Sequence, residues 1–238
     1  MRLAAGLLLL LATSAQADCV ILLHGLARSA GSMDKLATAL YEQGYTTVNV
    51  DYPSTDHAIE QLAEMTIEVG IDQCEPTQKI HFVTHSMGGI LVRQYLSQNQ
   101  LPRLGRVVML GPPNRGSEVV DTLGSVPGFE LINGRAGQQL GTLKTSVPNR
   151  LGPANFDLGI IAGTRSINLI LSSIIPGPDD GKVSLQRARL EGMNDFIAVP
   201  VSHPFLMTDP FVIEQVINYL EYGQFLQSEV SDKSQPDK

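Results

Sequence analysis

Short apolar runs alternate along this chain with stretches whose apolar residues recur every three to four positions. The runs at 20–23, 45–50, 79–84, 106–110, 158–162 and 195–201 have strand length, and the first, Val20-Ile21-Leu22-Leu23, is unbroken. An apolar run without alternation suits a strand covered on both faces, as in a parallel sheet. Between the runs, Met33, Leu36, Ala37 and Leu40 form an i, i+3, i+4, i+7 stripe, with Ser32 as its N-cap and Gly44 as its stop. Ile59, Leu62, Ala63, Thr66 and Val69 mark a second helix to about Gly70, and Gly88, Leu91, Val92 and Tyr95 a third. Near the end, Asp209 caps a helix with Pro210 at its first position, inner face Ile213, Val216, Ile217 and Leu220, and stop at Gly223. Together these predict an α/β fold, a mostly parallel sheet of about six strands flanked by helices.

The third helix follows its strand without a linker, through Thr84-His85-Ser86-Met87-Gly88-Gly89. Ser86 is therefore predicted on a sharp strand-to-helix bend, its hydroxyl above the sheet and at the positive end of the helix. Such a bend needs small residues two positions before and after the serine, because strand and helix backbones pass close there. Gly88 meets the second requirement, and Thr84 stands where a glycine is usual.

Composition narrows the classes open to the chain. Its net charge is −7 and it has no basic run, which gives no electrostatic footprint for nucleic acid or an anionic membrane. Met1-Arg2, an apolar run at 3–12 and Ala15-Gln16-Ala17 read as a secretory leader cleaved after Ala17. The run is about half the roughly 20 residues that span a bilayer, and no later stretch is longer, so no integral membrane segment is expected after cleavage. The protein is expected to be exported, periplasmic or secreted, with one domain over 18–227 and a disordered polar tail over 228–238. Cys19 and Cys74 match no metal-binding spacing and belong to a compartment where disulfides persist.

Three further motifs carry chemistry: His24-Gly25-Leu26 after the first run, Gly177-Pro178-Asp179-Asp180-Gly181-Lys182-Val183-Ser184, and Ser202-His203-Pro204-Phe205 after the last run. The order Ser86, Asp180, His203, with these settings, resembles the α/β-hydrolase superfamily, and within it a small secreted bacterial lipase or esterase. The resemblance covers nearly the whole mature chain and implies a minimal α/β-hydrolase fold. It implies Ser86 as nucleophile, His203 as base and Asp180 as acid, with the backbone N–H groups of Leu26 and Met87 forming the oxyanion hole. Asp179 is then a solvated turn residue, and His24 a brace for its loop.

Gly111 to Ser117 resembles a lipase loop beside the active site and reads equally as a rigid turn. The weakly patterned 118–155 segment is expected to be a small cap insertion. The apolar stretch 166–175 is either a buried connector or a wall of an acyl groove. In the family's strand order both cysteines precede neighbouring strands, which implies a Cys19–Cys74 disulfide. The expected reaction is hydrolysis of a small-molecule or lipid carboxylic ester through an acyl-enzyme, with no cofactor, no metal and no nucleic acid. A thioesterase, phospholipase or acyltransferase on the same triad, and a catalytically silent binding protein, are the alternatives.

Overall fold

A computed structural model describes residues 17–226; the predicted leader up to Gln16 and the predicted tail lie outside the described residues. The six predicted runs form six strands: β1 (Cys19–Leu23), β2 (Thr46–Val50), β3 (Ile80–His85), β4 (Leu104–Leu110), β5 (Leu158–Gly163) and β6 (Asp195–Val199). They make one sheet in the order β2-β1-β3-β4-β5-β6, with every pairing parallel. The minimal α/β-hydrolase architecture expected from the sequence is the one found.

The unbroken apolar runs have a direct cause. Alternate residues of β1 enter opposite cores, Cys19, Ile21 and Leu23 on one face and Val20 and Leu22 on the other. Helices α1 (Asp34–Glu42) and α9 (Pro210–Tyr222) cover the second face, burying Leu36, Leu40, Val212, Val216 and Tyr219. Helices α2 (Ile59–Asp72) and α3 (Met87–Gln98) cover the first with Leu62, Ile67, Ile90, Leu91 and Tyr95.

Two local expectations are corrected. Ser32 does not cap α1: it lies inside a 3-10 turn, Ala30–Met33, and its Oγ donates to Ser29 O, so Met33 occupies the cap position. Val69 faces solvent, because α2 buries Ile59, Leu62, Ala63, Thr66, Ile67 and Gly70 and the stripe has turned away from it by that point. The last helix is capped as read, with Asp209 Oδ1 accepting from the N–H groups of Phe211 and Val212 and Gly223 ending it at φ 74°.

The remaining helices lie in connections on the side where the strands end. The 118–155 segment holds α4 (Glu118–Leu123), α5 (Phe129–Gln138) and α6 (Val147–Arg150); α7 (Leu169–Ser172) and α8 (Leu185–Ala188) follow β5. No helix among the described residues is long and apolar enough to cross a membrane.

Cys19 and Cys74 form a disulfide with their Cα atoms 5.9 Å apart, joining the start of β1 to the connection between α2 and β3. It closes a loop over a sequence separation of 55 residues. Cys74→Ser is expected to lower the free energy of unfolding by about 2–4 kcal/mol, read as a lower urea midpoint. An unchanged midpoint would show that the cross-link does not constrain the unfolded chain.

Candidate active site

Ser86 closes β3 and opens α3 with φ 54° and ψ −120°. Only two non-glycine residues described have positive φ, Ser86 and Ala27, and both line the same cavity. Backbone in this region costs about 1–3 kcal/mol per residue and persists only where its surroundings impose it. For Ser86 they do. Its N–H donates to Leu110 O at 2.8 Å, and a Cβ on Gly88 would stand 2.7 Å from Leu23 O and 3.0 Å from His24 O, so α3 approaches β1 as closely as glycine allows. Thr84 fits without the usual glycine because its neighbour across the bend has no side chain. A Cβ on Gly89 would lie 3.2 Å from Thr84 Oγ1 and 2.9 Å from Met109 Sδ.

Asp180 and His203 meet as the sequence predicts. His203 begins a 3-10 turn just past β6, and its Nδ1 lies 2.7 Å from Asp180 Oδ2. Asp180 is buried, and Oδ1 accepts from the N–H groups of Lys182 (3.0 Å) and Val183 (2.8 Å), which fixes the carboxylate before the imidazole meets it. The backbones are tied as well, His203 N–H donating to Asp180 O at 2.9 Å. With Nδ1–H held by the acid, His203 Nε2 carries the lone pair that a base needs.

Asp179 is not solvated. It is buried, and its Oδ1 accepts from Ser172 Oγ at 2.8 Å and from Gly181 N–H at 2.7 Å, which ties the end of α7 to the acid turn. The carboxylate that meets His203 is that of its neighbour Asp180. Ser202, next to His203 in sequence, is also buried and lies outside the cavity lining; of the two serines that share the cavity with His203, Ser117 gives its hydroxyl to Lys182 O, which leaves Ser86.

The loop after β1 is braced as expected of His24. That ring is buried, stacks on Tyr52 at 4.0 Å between centroids and has its pKa lowered by burial, while Tyr52 Oη donates to His24 O at 2.6 Å. Ala27, one residue past Leu26, is pinned by its N–H to Ser54 Oγ at 3.0 Å. Leu26 lines the cavity, and Met87 is the first residue of α3, where helix N–H groups have no partner within the helix.

The roles of three residues escaped the sequence reading. His85 lies buried under the site, its ring 4.7 Å from that of His203, with Nε2–H donating to His203 O at 3.0 Å. Burial, and then the neighbouring His203, hold its pKa well below the usual histidine value, so it works as a neutral donor. Arg93, buried in the middle of α3, is lowered to about 10 by burial and still cationic at neutral pH. Its guanidinium donates to the carbonyls of Asn114, Pro148 and Gly152 and to Asn114 Oδ1, joining the elbow helix to the 111–117 loop and to α6. Gly111, at φ 55°, is the seat of the acid–base pair, because a Cβ there would stand 2.9 Å from Asp180 Oδ2 and 3.0 Å from His203 Nδ1. The 111–117 loop is thus both a rigid turn and part of the site, with Pro113 and Ser117 in the cavity wall.

The cavity measures about 600 Å³ and is walled by Val119, Val120, Leu123, Phe129, Ile132 and Leu171 opposite the catalytic side chains. The 166–175 stretch is not a buried connector. Leu171 joins this wall and Ile175 is buried, but Ile167, Leu169 and Ile170 face solvent, because α7 is a single turn standing at the rim.

Gly111→Ala is expected to displace the acid–base pair and lower kcat by about 100-fold or more, the scale of an ångström-sized misplacement. Near-normal turnover in a folded variant, judged by circular dichroism, would show that the pair does not rest on this glycine.

Among solved structures, the chain resembles a Bacillus licheniformis lipase in its mature form, at 19% identity and a TM-score of 0.61, over 86% of this chain and 90% of that one. It also resembles the phospholipase PlaB of Legionella pneumophila, at 17% identity and a TM-score of 0.69, over 87% of this chain and 60% of that one. A metagenomic carboxyl esterase matches at 21% identity and a TM-score of 0.63, over 81% of this chain and 66% of that one. At these identities the likeness is one of fold. A search of curated proteins finds no match. The alpha/beta hydrolase family model matches residues 20–210, and with the elbow at Ser86 and the Asp180–His203 pair in place, the chain belongs to that family.

Proposed function

We propose that this protein hydrolyses carboxylic esters through an acyl-enzyme on Ser86. The observation that carries the reading is the 2.7 Å Asp180–His203 pair on a cavity that also holds Ser86 at the strained bend. A serine hydroxyl is a weak nucleophile at neutral pH and needs its proton removed as it attacks. His203 Nε2 takes that proton, and Ser86 Oγ bonds to the acyl carbon. The developing oxyanion is met by the N–H groups of Leu26 and Met87. Collapse breaks the acyl C–O bond, and His203 returns the proton to the leaving alkoxide. A water activated by the same base then frees the acid and restores Ser86. Asp180 holds the imidazole tautomer and stabilises the imidazolium throughout. At rest the Ser86 hydroxyl forms no hydrogen bond to His203 among the described residues, and such contacts commonly tighten when substrate binds.

The 118–155 insertion serves as the cap over the acyl pocket, and the apolar wall it provides supports an acyl chain as the part recognised there. Export through the N-terminal leader is part of the same proposal, supported by the charged start and the Ala15-Gln16-Ala17 ending and by a disulfide suited to an oxidising compartment.

Ser86→Ala is expected to keep the fold and to reduce hydrolysis of p-nitrophenyl esters by several orders of magnitude, with loss of covalent labelling by a fluorophosphonate. Retained turnover in the folded variant overturns the mechanism. Asp180→Asn is expected to cost about 10⁴-fold in kcat, the scale known for the handing of the wrong tautomer to a serine protease. Asp179→Asn, which disturbs only the tie to Ser172 and the turn, is expected to cost less than about 10-fold, on the scale of one hydrogen bond. The reverse ranking would assign the acid to Asp179.

A further inference from the structure

Two cations stand at the mouth of the catalytic cavity with no acid to meet them. Arg28 lies two residues beyond Leu26 on the loop after β1, and Lys182 two residues beyond Asp180. Both line the cavity, and among the described residues no aspartate or glutamate does. Neither takes part in any of the ion pairs found among the described residues. Other cations on the surface are unpaired as well. What sets these two apart is that both line the cavity that holds Ser86 and His203. Burial of its flank and then Arg28 lower the pKa of Lys182, with Asp180 acting in the opposite sense, and the Arg28 charge is also felt by the buried His85. Asp180 forms no ion pair with either, its oxygens being hydrogen-bonded to His203 and to two backbone N–H groups.

The position of Lys182 is built. Its N–H donates to Asp180 Oδ1 at 3.0 Å and its carbonyl accepts from Ser117 Oγ at 2.7 Å, so the chain is held on both sides of the Cα that carries the ammonium. Arg28 follows Ala27, whose strained backbone and bond to Ser54 set the course of the loop. In a protein of net charge −7, both of these side chains carry the opposite sign to the molecule. Two like charges held together repel, and a bound anion removes that repulsion while it gains both attractions.

We propose that the preferred substrate is an acyl ester whose alcohol side carries a phosphate, a monoacyl glycerophosphate in the simplest case, bound with its acyl chain on the Val120, Leu123, Phe129 and Ile132 wall and its phosphate between Arg28 and Lys182. This rests on the ester-hydrolase reading of Ser86. The guanidinium supplies a planar fork that matches phosphate oxygens, and the ammonium a mobile point charge. The bond broken is the acyl C–O bond. The glycerophosphate leaves as the alcohol with the proton from His203, water completes the fatty acid, and the phosphate ester bond stays intact.

The test compares kcat/KM for monodecanoyl glycerol phosphate with that for uncharged monodecanoyl glycerol, both below their aggregation concentrations. The native enzyme is expected to favour the phosphate ester, and the preference to shrink as sodium chloride is raised. Arg28→Gln and Lys182→Gln are each expected to lower the ratio by about tenfold, the scale of one charge-assisted hydrogen bond. Arg28→Lys, which keeps the charge, is expected to keep most of it, and thermal midpoints check that each variant is folded. A ratio at or below one in the native enzyme, or one that neither Gln variant moves, overturns the proposal. If the neutral ester is cleaved in a Ser86-dependent way while the ratio stays at one, the hydrolase reading stands and the phosphate reading alone falls. If neither ester is cleaved, the hydrolase reading falls and takes this one with it.

Discussion

The close approach of the start of α3 to the end of β1 is the constraint on which the site depends. Because Gly88 brings the helix onto the carbonyls of Leu23 and His24, the chain between β3 and α3 has no room for a relaxed turn, and Ser86 is driven to positive φ. The serine is then raised above the sheet instead of packed into it. The same approach sets the loop after β1 beside the nucleophile, since a Cβ on Gly25 would stand 3.1 Å from Ser86 Cβ. Ser86 and the loop after β1 are thus positioned by one contact between backbones, which side-chain motion cannot loosen.

The acid–base pair is positioned differently, by removal of side chains from its surroundings. Gly111 leaves space for Asp180 and His203, and Gly163 leaves space behind the acid, where a Cβ would stand 2.8 Å from Asp180 Cβ. His85 connects the two arrangements, since it precedes the nucleophile in the chain and donates to the carbonyl of the base. A shift of β3 would therefore move the nucleophile and the base together, keeping their separation while both move.

Much of this was legible in the sequence because the elements that matter obey simple periods. Val20 to Leu23 could only be a strand buried on both faces, and the glycine and apolar spacing after Ser86 could only continue as a helix. The acid and base were legible from their settings beside Val183 and Pro204. What escaped depended on contacts between distant segments. Nothing in the neighbourhood of Arg93 says that its partners are the carbonyls of Asn114, Pro148 and Gly152. Asp179 read as solvated because the serine that buries it belongs to α7, whose own apolar residues suggested a core that is not there. The 118–155 helices gave little pattern because their apolar side chains are divided between the core, as with Ala136 and Val147, and the open cavity, as with Leu123, Phe129 and Ile132, which blurs the two-sided contrast that marks an amphipathic helix.

The Arg93 anchorage has a consequence for behaviour in acid. A buried guanidinium is most often answered by a carboxylate, and a link of that kind fails once the acid takes up a proton. Here the acceptors are three backbone carbonyls and an amide oxygen, none of which titrates in water, while the guanidinium keeps its charge well above neutrality. The joint between the elbow helix and the far end of the insertion is therefore indifferent to acidification.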